Sequence, residues 1–146
     1  MNRKEFIKTC GISCLGIVGA GILLESCTSS KYINATLSGS FIEIPLSSFE
    51  VEGKKGKKFL KYVIAQHEHL QYPICIYRQS ENNYQALLMR CTHQGTELQV
   101  FGDRLQCPAH GSEFSSSGEV QNGPADQSLR TFPVLVQSTN LKINLS

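Results

Sequence analysis

The 146-residue chain contains no tryptophan and no excess of charge: 14 Lys and Arg stand against 12 Asp and Glu, a formal net charge of +2. So close a balance leaves no basic face of the size that nucleic-acid binding needs, and no nucleic acid is expected as a partner. No comfortable membrane span is present either. The best candidate, Gly11 to Leu24, is uncharged and mostly apolar but has 14 residues, where a spanning helix needs about 20. No segment after residue 40 keeps a helical period over a useful length, which excludes a helical domain. Six cysteines are present, yet only Cys75, Cys91 and Cys107 fall beyond the N-terminal region. Three is an odd number, so a full disulfide framework is excluded as well.

What remains reads as one all-β domain. Its length is enough to bury a core without disulfide staples. Glycine is frequent, and Ser, Thr and Asn cluster between short apolar runs, the punctuation of strands and turns. Phe41 to Ile44 alternates as a first strand that Pro45 ends or turns into an edge. Further strands are expected over 57–65, 73–77 and 84–89. The segments 97–100 and 104–106 form a hairpin around Gly102-Asp103, and 132–137 pairs with 141–145. Cys75 lies between Ile74 and Ile76, the position of a buried core thiol. Lys54-Lys55-Gly56-Lys57-Lys58 reads as a solvated hairpin tip, or as a patch attracted to anionic lipid headgroups or an acidic partner. His67-Glu68-His69 reads as a solvent-facing strand pair, with a second metal site as the alternative.

The N-terminus has the layout of a targeting segment. Arg3, Lys4 and Lys8 precede the apolar run, whose length suits a signal-peptide core. Leu24-Glu25-Ser26-Cys27 resembles a bacterial lipobox, with Glu25 where a small uncharged residue is usual, and makes Cys27 the expected lipidation site. The segment 2–8 resembles a twin-arginine export signal, with Lys4 at the second Arg. That route carries folded cargo. The division expected is a signal peptide over 1–27, a flexible tether over 28–40, and a folded domain over 41–146. An uncleaved anchor helix is the alternative to cleavage. Either way the domain is placed at a membrane, facing outward from the cytoplasm in a bacterial cell envelope.

Two short motifs carry the chemistry: Cys91-Thr92-His93 and Cys107-Pro108-Ala109-His110. Each supplies one thiolate and one imidazole, and together they offer enough ligands for a four-ligand metal site. Thirteen residues lie between His93 and Cys107, the length of a tight hairpin that brings two loop tips together. The pattern C-x-H … C-x-x-H followed by Gly111-Ser112 resembles the Rieske iron–sulfur family. The resemblance implies an antiparallel β-sandwich or barrel with a small cluster-binding subdomain, and a [2Fe–2S] cluster as cofactor. Two Cys then bind one iron and two His the other, which assigns Cys91 and Cys107 to the buried iron and His93 and His110 to the exposed one. It also implies coupled electron and proton uptake. Gly95 and Gly111 are expected to let the backbone approach the cluster, with N–H groups that donate to it. Gly123-Pro124-Ala125 resembles the family's third loop, with Pro124 over one side of the cluster.

The motif departs from that of quinol-oxidising cytochrome complexes. Thr96 and Ala109 stand where those relatives carry two further cysteines joined as a disulfide. Ser112 matches their sulfur-bonding Ser, whereas Phe114 replaces their Tyr. Rieske potentials span about −150 to +300 mV and rise with hydrogen bonds to sulfur, so one donor kept and one lost implies a middle value. The function expected is a membrane-associated one-electron carrier, or a redox subunit of a respiratory-type complex, working with a redox protein partner or membrane complex. It would have no substrate site of its own. The alternatives are a ferredoxin component of a ring-hydroxylating oxygenase system and a structural zinc module. The catalytic iron of such oxygenases uses two His and a carboxylate, and no such second site is evident in the sequence.

Overall fold

The computed structural model describes residues 30–53 and 56–146. The targeting segment over 1–27 with Cys27, and Lys54-Lys55, therefore lie outside the described residues.

The strands are short and follow one another closely. They are β1 (Tyr32–Asn34), β2 (Thr36–Ser38), β3 (Phe41–Pro45), β4 (Glu50–Gly53), β5 (Gly56–Phe59), β6 (Tyr62–Gln66), β7 (Ile74–Arg78) and β8 (Tyr84–Leu88). They continue as β9 (Gln99–Phe101), β10 (Arg104–Gln106), β11 (Glu113–Ser115), β12 (Val120–Asn122), β13 (Thr131–Phe132), β14 (Val134–Val136) and β15 (Asn140–Asn144). Among the described residues, a single 3-10 turn at Leu46–Phe49 buries Phe49, and no α-helix occurs.

A central sheet runs in the order β1-β6-β7-β8-β13. Its neighbours pair antiparallel except β1, which lies parallel to β6. A base sheet, β14-β15-β3-β2, packs on one face. On the other face lies a small sheet, β12-β11-β10-β9, while β4 and β5 form a separate ribbon.

The alternation of side chains along β7 explains this layering. Successive strand residues point to opposite faces. Ile74 and Ile76 join the core formed with Ile42, Ile44, Leu141 and Ile143 of the base sheet. Cys75 and Tyr77 join a second core with Leu87, Met89, Leu105 and Phe114. Both faces are covered, so Ile74 to Tyr77 are all buried, as expected for a strand inside two layers. The buried state of Cys75 agrees with the sequence. Cys75, Cys91 and Cys107 are all free thiols.

Three expectations are corrected. The segment 28–40 was expected as a flexible tether, but β1 and β2 lie within it. The inward series Ile33, Ala35 and Leu37 packs on the base core, and the Ala35 N–H donates to the Gln66 carbonyl at 2.9 Å. Ordered structure thus precedes Phe41. The strand expected over 57–65 is two strands, β5 and β6, because the chain bends at Lys61 and changes partner, from β4 to β7 and β1. His67 and His69 sit in a turn after β6 and not on a strand.

Candidate metal centre

The two ligand motifs fold into loops of one construction. Cys91 follows β8; its N–H donates to the Thr96 carbonyl, and its own carbonyl accepts the Gly95 N–H, both at 2.8 Å. Cys107 follows β10; its N–H donates to the Ser112 carbonyl at 2.8 Å, and its carbonyl accepts the Gly111 N–H at 3.0 Å. Each turn closes on a glycine with positive φ, 76° at Gly95 and 78° at Gly111. That conformation is steeply unfavourable for residues with a Cβ. The two N–H groups were expected to donate to the cluster; they close the loops onto the cysteine carbonyls instead.

The β9–β10 hairpin joins the loops, so both tips lie at one end of the molecule. Cys91 and Cys107 are 1% and 2% exposed and belong to the core shared with β7. His93 and His110 are exposed, and their ring centroids stand 5.1 Å apart at 85°. Thiols thus lie inside and imidazoles outside.

Burial by itself would raise the Cys107 thiol pKa. The backbone N–H groups of Ala109 and His110, the Cys91 thiol and the Thr96 hydroxyl nearby oppose this, and the net direction is downward. Donors aimed at sulfur favour thiolate, the form that binds metal. Motif reading missed Thr96 in this role: it was noted for the cysteine it replaces, and only the fold brings its hydroxyl to the other loop.

The third loop clamps both tips. Ser112 is fully buried, and its Oγ accepts the Ala125 N–H at 3.0 Å. The Thr92 hydroxyl donates to the Gln127 carbonyl at 2.7 Å, and Asn122 Nδ2 donates to the Gly111 carbonyl at 3.3 Å. Tyr72 braces the first loop from behind, donating to the Gly95 carbonyl at 2.7 Å. Pro124 is exposed in this loop, while Phe114 is wholly buried beneath it.

The donors pair by type. Thiol lies against thiol and imidazole beside imidazole. Among the described residues, no three Cys, His, Asp or Glu converge on one point as a single-ion cage would require. Two soft donors inside and two imidazoles outside fit a two-iron cluster better than one zinc ion. His67 and His69 do not add a second cage; the His69 N–H donates to His67 Nδ1 at 3.2 Å.

The family model of the Rieske [2Fe-2S] domain matches residues 49–133. The oxygenase component of dicamba O-demethylase from Stenotrophomonas maltophilia is 34% identical over 76 residues, 45% of this chain and 22% of that protein. The cytochrome b6-f complex iron-sulfur subunit of Synechococcus sp. (strain JA-2-3B'a(2-13)) is 34% identical over 56 residues, 37% of this chain and 33% of that protein. The chain therefore spans a third or less of the length of these curated relatives. Among solved structures, the plasma membrane Rieske protein PetC3 from Synechocystis PCC 6803 superposes with a TM-score of 0.51 at 24% identity, covering 57% of this chain and 86% of that one. That likeness is one of fold. With the family model covering more than half of the chain, and with its all-β layers and twin ligand loops, the protein is a member of the Rieske [2Fe–2S] domain family, whose cofactor is that cluster.

Proposed function

We propose that this chain carries single electrons at a membrane surface, either alone or as a redox subunit of a respiratory-type complex on the outward face of a bacterial envelope. Cys91 and Cys107 would hold one iron and His93 and His110 the other. The observation that carries the reading is the pairing of buried thiols with exposed, adjacent imidazoles at one tip. When bound there, the cluster supplies a one-electron couple.

The chain's own residues do the rest. The core around Cys91 and Cys107 keeps water from the sulfur side. The exposed His93 and His110 rings present the edge that a redox partner reaches. An imidazole that ligates through one ring nitrogen keeps the other for a proton, which links the potential to pH. Ser112 and Thr96 tune the sulfur side. The membrane part of the reading rests on the basic start, the apolar run and Cys27 in the sequence. A ferredoxin component of an oxygenase system would not need that segment.

Two measurements test this. Low-temperature EPR of dithionite-reduced protein is expected to show the rhombic signal of a mixed Cys/His [2Fe–2S] centre, lost in Cys107→Ser; a silent wild-type sample overturns the ligand assignment. Fractionation of cells expressing the full chain is expected to place it with membranes. Recovery in the soluble fraction overturns the membrane part.

A further inference from the structure

The strand register fixes which end of the domain meets the rest of the chain. Cys91 lies just beyond β8, at the end where Leu88 pairs with Ile74 and Ile74 with Ala65. The chain enters at the opposite end. β1 runs parallel to β6, with Tyr32 beside Ile64, and Ser30 Oγ lies 3.0 Å from the Tyr62 hydroxyl. Tyr84, which pairs with Arg78 at that far end, is seven residues from Cys91. At about 3.3 Å per residue, the ligand loops stand roughly 20 Å from the entry end.

That entry end has a distinctive surface. The β4–β5 ribbon adjoins it, and every residue of β5 is exposed. Lys57, Lys58 and Lys61 are exposed there, and the Arg78 guanidinium lies 4.4 Å from the Phe59 ring centroid. Lys57 is partly neutralised by Glu50 at 2.7 Å, and Glu52 lies on the facing strand. Over residues 50–61 the sequence still carries five Lys against two Glu. Tyr32, Phe59 and Phe101 are each more than half exposed. Phe101 belongs to the same end, because its hairpin points away from Cys107 and the adjoining Ser116 turn accepts Gln79 Nε2 at 3.3 Å. Aromatic rings among lysines are the composition of a surface that meets lipid headgroups. The described chain begins at this same end, with Ser30 beside Tyr62, and the basic start and apolar run precede it in sequence.

We infer that the β4–β5 ribbon, with Phe59 at its edge, seats on an anionic lipid surface and directs His93 and His110 away from it. The inference rests on the membrane reading above and adds an orientation to it. Lysines near an anionic bilayer each contribute roughly fivefold to partitioning, and the aromatic rings enter the headgroup layer. The histidine tips then reach a partner that projects from the membrane, not one buried in it.

The absence of tryptophan makes the test clean. Two single-tryptophan holoproteins of the full chain, Phe59→Trp and Gln94→Trp, are mixed with vesicles of phosphatidylglycerol and phosphatidylcholine containing bromine-labelled acyl chains. Emission of Phe59→Trp is expected to shift to the blue and be quenched, while Gln94→Trp beside the histidines is unaffected. Adding Lys58→Glu and Lys61→Glu to Phe59→Trp is expected to abolish the quenching. Vesicle-bound protein with no quenching at Phe59→Trp, with equal quenching at both positions, or with quenching unchanged by the charge reversals overturns the orientation and leaves the membrane reading standing. Failure of the chain to sediment with vesicles at all overturns both.

Discussion

The buried hydroxyl of Ser112 accepts the backbone N–H of Ala125 at 3.0 Å, tying the second ligand loop to the third. A hydroxyl that accepts one bond still has its own proton to give, and that proton has no protein acceptor among the described residues. Ser112→Ala is therefore expected to act twice. It leaves the Ala125 N–H unpaired, at a cost of about 1–3 kcal/mol, visible as a lower melting temperature. It also removes a donor from the sulfur side. A bond worth about 1 kcal/mol more to the reduced form corresponds to a drop of roughly 40 mV in a one-electron potential, measurable by protein-film voltammetry. An unchanged potential would assign Ser112 to loop fastening alone.

Phe114→Tyr tests the complementary side of the same loop. Phe114 is fully buried in the core that also holds Cys91 and Cys107, and a hydroxyl added there enters that core. The midpoint potential is expected to rise. Added volume in a packed core costs about 1–3 kcal/mol, so the melting temperature is expected to fall at the same time. A lowered or unchanged potential would sink the argument that Phe114 tempers the couple.

Gly118 offers a test of the fold apart from the redox chemistry. Its φ is +89°, and a Cβ added there would stand 2.9 Å from Leu87 Cδ2 and 3.4 Å from Leu129 Cβ. Strained backbone and a core clash act together in Gly118→Ala, with an expected loss of about 2–4 kcal/mol in chemical denaturation. The EPR line shape is expected to be retained, because the turn is remote from the ligand loops. A variant as stable as wild type would contradict the packing described.

Cys75 makes stability depend on alkaline pH. Burial pushes its thiol far above the ordinary range, so the folded state keeps the proton where the unfolded chain releases it. The unfolded state then binds fewer protons, and stability falls as pH rises above about 8.5, the value for a free thiol. Cys75→Ala removes this group. Its melting temperature is expected to decline less steeply with pH than that of wild type between about pH 8.5 and 10.5, whatever its value at neutral pH. Parallel declines would show that Cys75 is not the group responsible.

Much of this architecture is legible in the sequence, and the exceptions have physical reasons. The C-x-H and C-x-x-H spacings gather four candidate ligands because their loops flank a hairpin whose turn, Gly102-Asp103, is itself readable. Strands β3, β7 and β8 announce themselves by apolar pattern and length. β1 and β2 do not, since each has three residues, and β1 owes its order to a remote partner in β6 while β2 folds back on β3 through Gly39-Ser40. The alternation of Ile33, Ala35 and Leu37 was the available signal, hidden among Ser, Thr and Asn. The N–H groups of Gly95 and Gly111 were misassigned for another reason. A positive φ can be anticipated from glycine, but which carbonyl the N–H then meets depends on how the loop closes. The approach of the Thr96 hydroxyl to Cys107 and the bond from Thr92 to Gln127 join separate loops, and no local pattern encodes them.

The double-faced strand β7 also sets what kinds of sequence change this domain can absorb. Slipping β7 by one residue would exchange its two sets of side chains, turning Cys75 and Tyr77 toward the base sheet and Ile74 and Ile76 toward the ligand loops. A replacement of similar size at one of these positions perturbs one core. A single insertion or deletion within 74–78 scrambles both at once. Extra residues at hairpin tips such as Gly102-Asp103 shift no register. Length variation among related chains should therefore concentrate in the tips, while the lengths of Ile74 to Arg78 and of Tyr84 to Cys91 stay fixed.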